Sequence, residues 1–452
     1  MIGLLSTSFL KQRDAARDSG SRSPTRWPWK TAIFFVLVFV FAGHDFKASQ
    51  NWQAATATDV ANLAGRVEEG RLARQVAFPV LACWGLFMIL KPGGKKFAID
   101  PWLLVPLTLF ITWSFATLLW SHDRGLTVKR LVVFGSIVLA VIGFARQFRF
   151  RDAPFCILVG TLIMMLVGVV SELIYSPGMF KDGYRFAGSQ HPNHTGINGM
   201  LIVLSSLYFF YRGGLKRFLL LAAFGFLIVV LTKSRTALLG GVAGTAVLLL
   251  AVWPRDRAIF VGILTGLVGS LFVGLYTAGI VPPVYEAVLM GRENADPATL
   301  TGRTDIWKAG FNLLLLDPTR LFTGMGYDSF WNGQFTDHIS KVVRFKISES
   351  HNAYIDLIFD LGVIGLALWS LVLVMMVRSS IKRWASHGRA GRLAGGLGLS
   401  VVTFVLVHGI AESTFVDSTY PAFVALLLFG LFSLRNPVEA RARAMPQDTG
   451  AA

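Results

Sequence analysis

Charge is scarce in this chain. Of its 452 residues only 15% are Asp, Glu, Lys or Arg, against roughly 25% in soluble domains, while 54% are hydrophobic and the mean hydropathy is +0.57. Such a composition excludes the two or three soluble domains that this length would otherwise give. Cysteine is nearly missing: Cys83 and Cys156 each sit in an apolar run without a CxxC or Cys/His neighbour, which leaves neither a disulfide framework nor a zinc site. There is no Asp-x-Asp, so a metal-held nucleotide-sugar site has no candidate residues, and no Walker loop, HExxH or GxSxG. Acids are few beside bases, 26 against 43, for a formal charge of +17. In a soluble protein that excess would point to nucleic acid.

What the chain has is apolar length. A helix of about 20 residues spans the hydrocarbon core of a bilayer, and twelve segments approach that yardstick. They are 31 to 46, 76 to 91, 102 to 120, 131 to 145, 155 to 175, 196 to 211, 217 to 232, 236 to 253, 258 to 282, 353 to 376, 395 to 413 and 418 to 434. The first resembles a signal-peptide core, but Arg13, Arg17, Arg22 and Arg26 make its lead long and no small-residue cleavage pattern follows; it is read as a retained helix. The fold class is therefore all-α, a polytopic helix bundle of about twelve membrane spans. Its expected divisions are a basic tail at 1–30, helices one to nine within 31–282, a large loop at 283–352, the last three helices within 353–434, and a second tail at 435–452.

Twelve spans put both termini on one side, and the basic residues identify it. The two tails and the alternate loops between them hold 25 of the 43 Lys and Arg with 7 acids, a balance of +18. The other side holds 18 bases and 19 acids, a balance of −1. The termini are thus expected in the cytoplasm. Topology and phospholipid head groups account for the whole charge excess, so membrane lipids, and no nucleic acid, are the implied partners.

The outer side has the long loops, at 47 to 75, 176 to 195 and 283 to 352. The last is too polar to lie in lipid. Within it Thr301 to Leu315 shows apolar residues at helical spacing after a Thr able to cap them, which predicts an amphipathic helix on the membrane or on the bundle. In the second loop the run Tyr184-Arg185-Phe186-Ala187-Gly188-Ser189-Gln190-His191-Pro192-Asn193-His194-Thr195-Gly196 packs an Arg, two His and an Asn at the start of a helix. A cap by Asn193 or Thr195, with Pro192 setting the first turn, would explain part of this. Asn193-His194-Thr195 also matches a glycosylation sequon.

Lys233-Ser234-Arg235-Thr236 lies between two spans with almost no loop, on the side that the positive-inside tendency disfavours for bases. Taken alone it reads as a snorkelling anchor. With Arg185 and Arg303 on the same face it reads instead as a set of guanidinium forks, which bind phosphate in bidentate fashion. Glu349-Ser350-His351-Asn352-Ala353-Tyr354-Ile355-Asp356 leads from the large loop into the tenth span. His351 is expected at the helix start, where the dipole disfavours protonation, so that a neutral ring could act as a general base; a capping role is the plainer alternative. Asp356 and Asp360, Glu172, and the pair His408 and Glu412, four residues apart and so expected on one helix face, must point into the protein, because a carboxylate at membrane depth costs about 2.5 to 3.5 kcal/mol. Structural staples between helices are the preferred reading for them. Gly324-Met325-Gly326-Tyr327-Asp328-Ser329-Phe330-Trp331 reads as a tight turn whose aromatics could stack on sugar rings.

Together, RFAGSQHPNHTG from Arg185, SRTALL from Ser234, GRTDIW from Gly302, GMGYDSF from Gly324 and SHNAYIDLIFDLGVIG from Ser350 resemble the O-antigen ligase and Wzy-type polymerase superfamily of bacterial envelope glycosyltransferases, which includes exopolysaccharide polymerases. The resemblance covers about residues 180 to 375; its most specific element is the His-Asn before a helix followed by Gly362-Val363-Ile364-Gly365. It implies an inner-membrane enzyme with a periplasmic active site and no metal or other cofactor. It further implies that Arg185 and Arg235 hold the diphosphate of an undecaprenyl-diphosphate-linked glycan donor and that His351 activates the acceptor hydroxyl, with inversion at the anomeric carbon. Arg303, Asn193, Asn352 and Tyr354 are expected to support them. GRTDIW with SHNAYIDL inclines the reading towards a polymerase, whose acceptor is another lipid-linked repeat; a ligase would use lipid A-core. A flippase or transporter would also have twelve spans, but such folds show repeats and broken helices at matching places in two halves, and neither is visible.

Overall fold

The computed structural model describes residues 29–43, 72–92, 101–175, 184–253, 303–344, 347, 349–385, 388–415 and 421–433. Contacts separate Met1–Phe34 from a main body, Phe35–Ala452. The helices are α1 (Trp29–Gly43), α2 (Leu72–Leu90), α3 (Pro101–Ala116), α4 (Arg124–Gln147), α5 (Asp152–Tyr175), α6 (Pro192–Gly213), α7 (Arg217–Thr232) and α8 (Arg235–Val252). From residue 303 onward come α9 (Arg303–Leu315), α10 (Thr319–Thr323), α11 (Gly333–Val343), α12 (Ala353–Trp384), α13 (Arg389–Gly409) and α14 (Pro421–Ser433). No strand occurs among the described residues.

Eleven of the twelve expected spans coincide with these helices; the ninth, 258 to 282, lies outside the described residues. Six helices among the described residues are long and apolar enough to cross a membrane, and α2 and α7 are shorter apolar helices. Large apolar side chains face outward from them, among them Leu220, 74% exposed, and Val242, 57% exposed. Side chains of this kind have their natural solvent in lipid, where helices rather than open loops satisfy the backbone. The chain is a multi-pass, all-α membrane protein.

Small residues let the helices approach, as expected where apolar burial gives no preference for helix over lipid. Between α6 and α7, a Cβ at Gly225 would lie 2.6 Å from the Gly199 carbonyl oxygen. Between α8 and α13, Ser400 Oγ donates to the Gly244 carbonyl at 2.6 Å.

The amphipathic segment forms as α9 and lies on the bundle: its buried side contains Ile306, Ala309, Gly310 and Leu314, and Gly310 faces the ring of Phe359 in α12. Thr301, expected to cap it, lies outside the described residues. A second helix of this stretch, α11, has no counterpart among the segments expected from sequence. Asn332 caps it, its Oδ1 accepting from Phe335 N–H at 3.0 Å.

The GVIG stretch is a break within α12. Gly362 has φ 71°, and the Phe322 carbonyl sits where its Cβ would be, so only glycine fits. The Gly324 turn docks there. Met325 N–H donates to the Phe359 carbonyl and Gly326 N–H to that of Asp360, both at 2.9 Å. The Asp360 Oδ1 accepts from Ser329 N–H at 3.0 Å and Phe330 N–H at 2.9 Å, while Asp356 Oδ1 accepts from Trp331 Nε1 at 2.8 Å. Both aspartates are buried, so the interior-facing role expected of them holds. The sugar-stacking idea for this turn does not hold for Tyr327 and Phe330, which are 1% and 0% exposed.

Candidate active site

Glu172, buried in α5, fixes the first part of the site. Its Oε1 accepts from Ala187 N–H at 2.9 Å and Gly188 N–H at 2.8 Å. Phe186 N–H donates to the Leu231 carbonyl at 2.9 Å, and Thr195 Oγ1 donates to that of Ala187 at 2.6 Å. The segment bearing Arg185 is thereby sewn to the end of α7 and the start of α6. Two predicted caps require correction. The cap of α6 is His191, whose Nδ1 accepts from Asn193 N–H at 3.3 Å, because Asn193 and Thr195 bond elsewhere. Burial, with the neighbouring His194, lowers the His191 pKa to about 4, which fits a neutral ring that accepts.

Arg185 is held by its surroundings. Its Nε donates to the Thr232 carbonyl and its Nη2 to Asn193 Oδ1, each at 3.0 Å. The first bond ties it to the turn that carries Arg235. There Lys233 adopts a left-handed φ of 50° and Ser234 caps α8, its side chain accepting from Ala237 N–H. These two residues turn the chain between α7 and α8 and put Arg235 in the first turn of α8. Arg235 is half-buried.

Asn193 continues the chain of contacts by donating from Nδ2 to Glu412 Oε1 at 2.6 Å. Glu412 is 5% exposed. It also faces Arg303, with Nη2 to Oε1 at 3.7 Å, and His351, with Nδ1 to Oε2 at 3.6 Å. A second carboxylate stands at the same ring nitrogen: Glu349 Oε1 is 3.0 Å from His351 Nδ1. The contact is an ion pair, off the axis of a linear hydrogen bond. Thus Arg185, Asn193, Arg303 and His351, expected together from their sequence, meet through Glu412, which joins α6, the start of α9 and the segment before α12.

The position of His351 differs from expectation. Asn352 is the cap of α12, its Oδ1 accepting from Tyr354 N–H at 3.0 Å and Ile355 N–H at 3.1 Å; His351 is the residue before it, at a left-handed φ of 55°. The expected neutral ring is also overturned. Burial by itself would lower the pKa of His351, but Glu349 and Glu412 raise it to about 10. Reciprocally, burial of Glu349 is outweighed by His351, and its pKa falls to about 2. Glu412 is shifted down for the same reason, against the effect of its burial. Opposite charges at this range outweigh desolvation, so the two carboxylates favour the protonated ring.

The side chains of Asn352 and Tyr354 both bond to backbone of the α13 end. Asn352 Nδ2 donates to the Ile410 carbonyl at 3.0 Å and Tyr354 Oη to that of Leu406 at 2.9 Å. Those bonds fix the segment that carries Glu412. The pairing of His408 with Glu412 on one helix face fails, because α13 ends at Gly409 and Glu412 lies in the turn beyond. His408 is 1% exposed beside Phe404. Glu349 was visible beside His351 in sequence. Nothing in sequence links Glu412 to Asn193, 219 residues away.

Glu349, His351 and Glu412 present ligand-type atoms all within 4.8 Å of one another, a cluster that linear spacing hides. Its donors suit a divalent cation in kind. Arg303 and the imidazolium already balance both carboxylates.

The family model of O-antigen ligase matches residues 219–370, a stretch with Arg235, Arg303 and His351 but without Arg185, Asn193 or Glu412. The chain is 24% identical over 349 residues to the exopolysaccharide production protein ExoQ of Rhizobium meliloti (strain 1021), which covers 72% of this chain and 77% of that protein.

Proposed function

We propose that this membrane protein, whose matches support the O-antigen ligase and polysaccharide polymerase superfamily, is an inner-membrane glycosyltransferase that elongates a surface or secreted polysaccharide on the periplasmic side, with both termini cytoplasmic. The donor is a glycan on undecaprenyl diphosphate and the acceptor a further lipid-linked repeat. The observation that carries this reading is the continuous set of contacts from a half-buried guanidinium to an imidazole held by carboxylates, Arg185 to Asn193 to Glu412 to His351.

In this reading the donor's lipid lies in the outer leaflet and its diphosphate meets Arg185 and Arg235, with Arg303 nearby. Guanidinium groups suit this task, because they stay charged and bind phosphate oxygens two at a time. As the bond from the anomeric carbon to the diphosphate oxygen breaks, the positive charge stabilises the leaving undecaprenyl diphosphate. The acceptor hydroxyl attacks the same carbon from the opposite face and inverts it, and its proton passes to the His351 ring. Glu349 and Glu412 then hold the imidazolium so formed. The ring can accept only in its neutral form, so the carboxylates make it a strong base that is sparsely available at neutral pH. The diphosphate ester is already activated, so no external energy source is required. Nor is a metal: the cations of the site are supplied by its own side chains.

The similar protein ExoQ is an exopolysaccharide production protein, which favours a lipid-linked repeat over lipid A-core as acceptor. The test is transfer by purified protein from defined lipid-linked repeats, with and without lipid A-core, read by product length. A ladder of lengthening lipid-linked chains that needs no lipid A-core is expected. A single addition confined to lipid A-core would identify a ligase instead.

A further inference from the structure

The residue that joins the two halves of the site belongs to neither. Glu412 accepts from Asn193, the residue that bonds Arg185, and it faces His351 and Arg303. A staple between helices does not require a charge: replacing a buried ion pair by a well-packed neutral residue is often harmless or stabilising. A carboxylate that is 5% exposed and met from three separate elements is expensive as a staple. It is suited to fixing the orientation of two groups that must work together.

We propose that Glu412 is a positioning residue that sets the ring of the proton-accepting His351 and, through Asn193, the guanidinium of Arg185, so that the base and the diphosphate clamp share one anchor. This rests on the functional reading above. The charged and titratable groups around His351 are Glu349 on its own segment, Glu412 after α13, His191 and His194 at the start of α6, and Arg303 at the start of α9. Of these only the two carboxylates draw a proton towards the ring, so removal of one must lower its basicity.

The test is the pH profile of transfer by the full-length purified protein, with Glu412→Gln as the first variant. Gln keeps the acceptor oxygen for Asn193 and removes the charge. The acid limb of the wild-type rate should move to lower pH and the limiting rate at high pH should fall tenfold or more, as weakening of a base requires, while the donor KM changes little. Glu412→Asp should restore part of the rate. Asn193→Ser provides an independent arm: it cuts the link to Arg185 but leaves Glu412, so the donor KM should rise several-fold with the acid limb unmoved. An acid limb identical to wild type in folded Glu412→Gln, or an unchanged donor KM in Asn193→Ser, overturns the proposal. Those results, with wild-type transfer intact and His351→Ala inactive, would leave the functional reading standing. Wild-type-like transfer by His351→Ala would instead remove the reading on which the proposal rests.

Discussion

His351 Nδ1 lies 3.0 Å from Glu349 Oε1 across a backbone that turns left-handed at the histidine itself, and the ring meets both this carboxylate of its own segment and that of Glu412, from the turn after α13. The two carboxylates, and not the helix start, dominate the electrostatics of the ring.

A pH dependence follows. With the His351 pKa raised to about 10, the neutral, proton-accepting form grows about tenfold per pH unit across the neutral range. The rate of transfer at saturating donor should therefore climb from pH 6 to near pH 10 before it levels. The stability contribution runs the other way: the ion pair is fully present below the unfolded value near 6.5 and is lost as pH rises through about 10. A rate that levels at pH 6 to 7 would mean a ring of ordinary basicity.

The two arginines should respond differently to lysine. Arg185 makes two directed hydrogen bonds from separate nitrogens, which lysine cannot reproduce, so Arg185→Lys should lower both thermal midpoint and transfer. Arg235→Lys should leave the midpoint near wild type and still impair transfer strongly, because the planar fork is lost. If both hold one diphosphate, the double variant should be little worse than the poorer single one. Near-normal polysaccharide assembly in cells with both lysines, at matched protein levels, would leave the snorkelling explanation in possession.

Chelation should have little effect. The carboxylates of Glu349 and Glu412 face His351 and Arg303, so a divalent cation would have to displace side-chain cations already in place. EDTA is expected to leave transfer largely intact. Loss of activity on chelation, restored by magnesium or manganese, would show that the cluster of Glu349, His351 and Glu412 holds a metal.

Removing the acceptor of the Arg185 segment should be costly. Glu172→Ala leaves the N–H groups of Ala187 and Gly188 without their carboxylate. An unsatisfied buried donor costs about 1 to 3 kcal/mol, so the thermal midpoint in detergent should fall clearly, and Glu172→Gln, which keeps an acceptor oxygen, should fall less. Equal midpoints for wild type and Glu172→Ala would show that the segment is held by its other bonds.

The helices were legible because membrane insertion imposes length and apolarity directly on sequence; eleven expected spans overlap observed helices, while the polar ends of α4, α12 and α13 run six to eight residues beyond the apolar stretch. The site was legible in part. Arg185, Arg235 and His351 stand out because charge at the end of an apolar span is conspicuous and because each lies within a local motif. Their partners do not. Glu412 looked like a helix-face companion of His408 because i,i+4 spacing was read past the end of α13, and Asn193 looked like a cap because Asn commonly is one. Their actual bonds run between elements distant in the chain, set by packing of α6 against the turn after α13, to which periodicity is blind. The basicity of His351 was misjudged for the same reason: the dipole is a local property, and the second carboxylate is not.

The most direct test of the account is the stoichiometry of lipid release. Protein reconstituted in vesicles would be given lipid-linked repeats, and undecaprenyl diphosphate released would be counted against glycosidic bonds formed, for wild type and His351→Ala. The account predicts one undecaprenyl diphosphate per bond for the wild type, and a rate about 100-fold to 10,000-fold lower for the folded alanine variant. Movement of lipid-linked sugar across the vesicle membrane without release, or an alanine variant as fast as wild type, would contradict it.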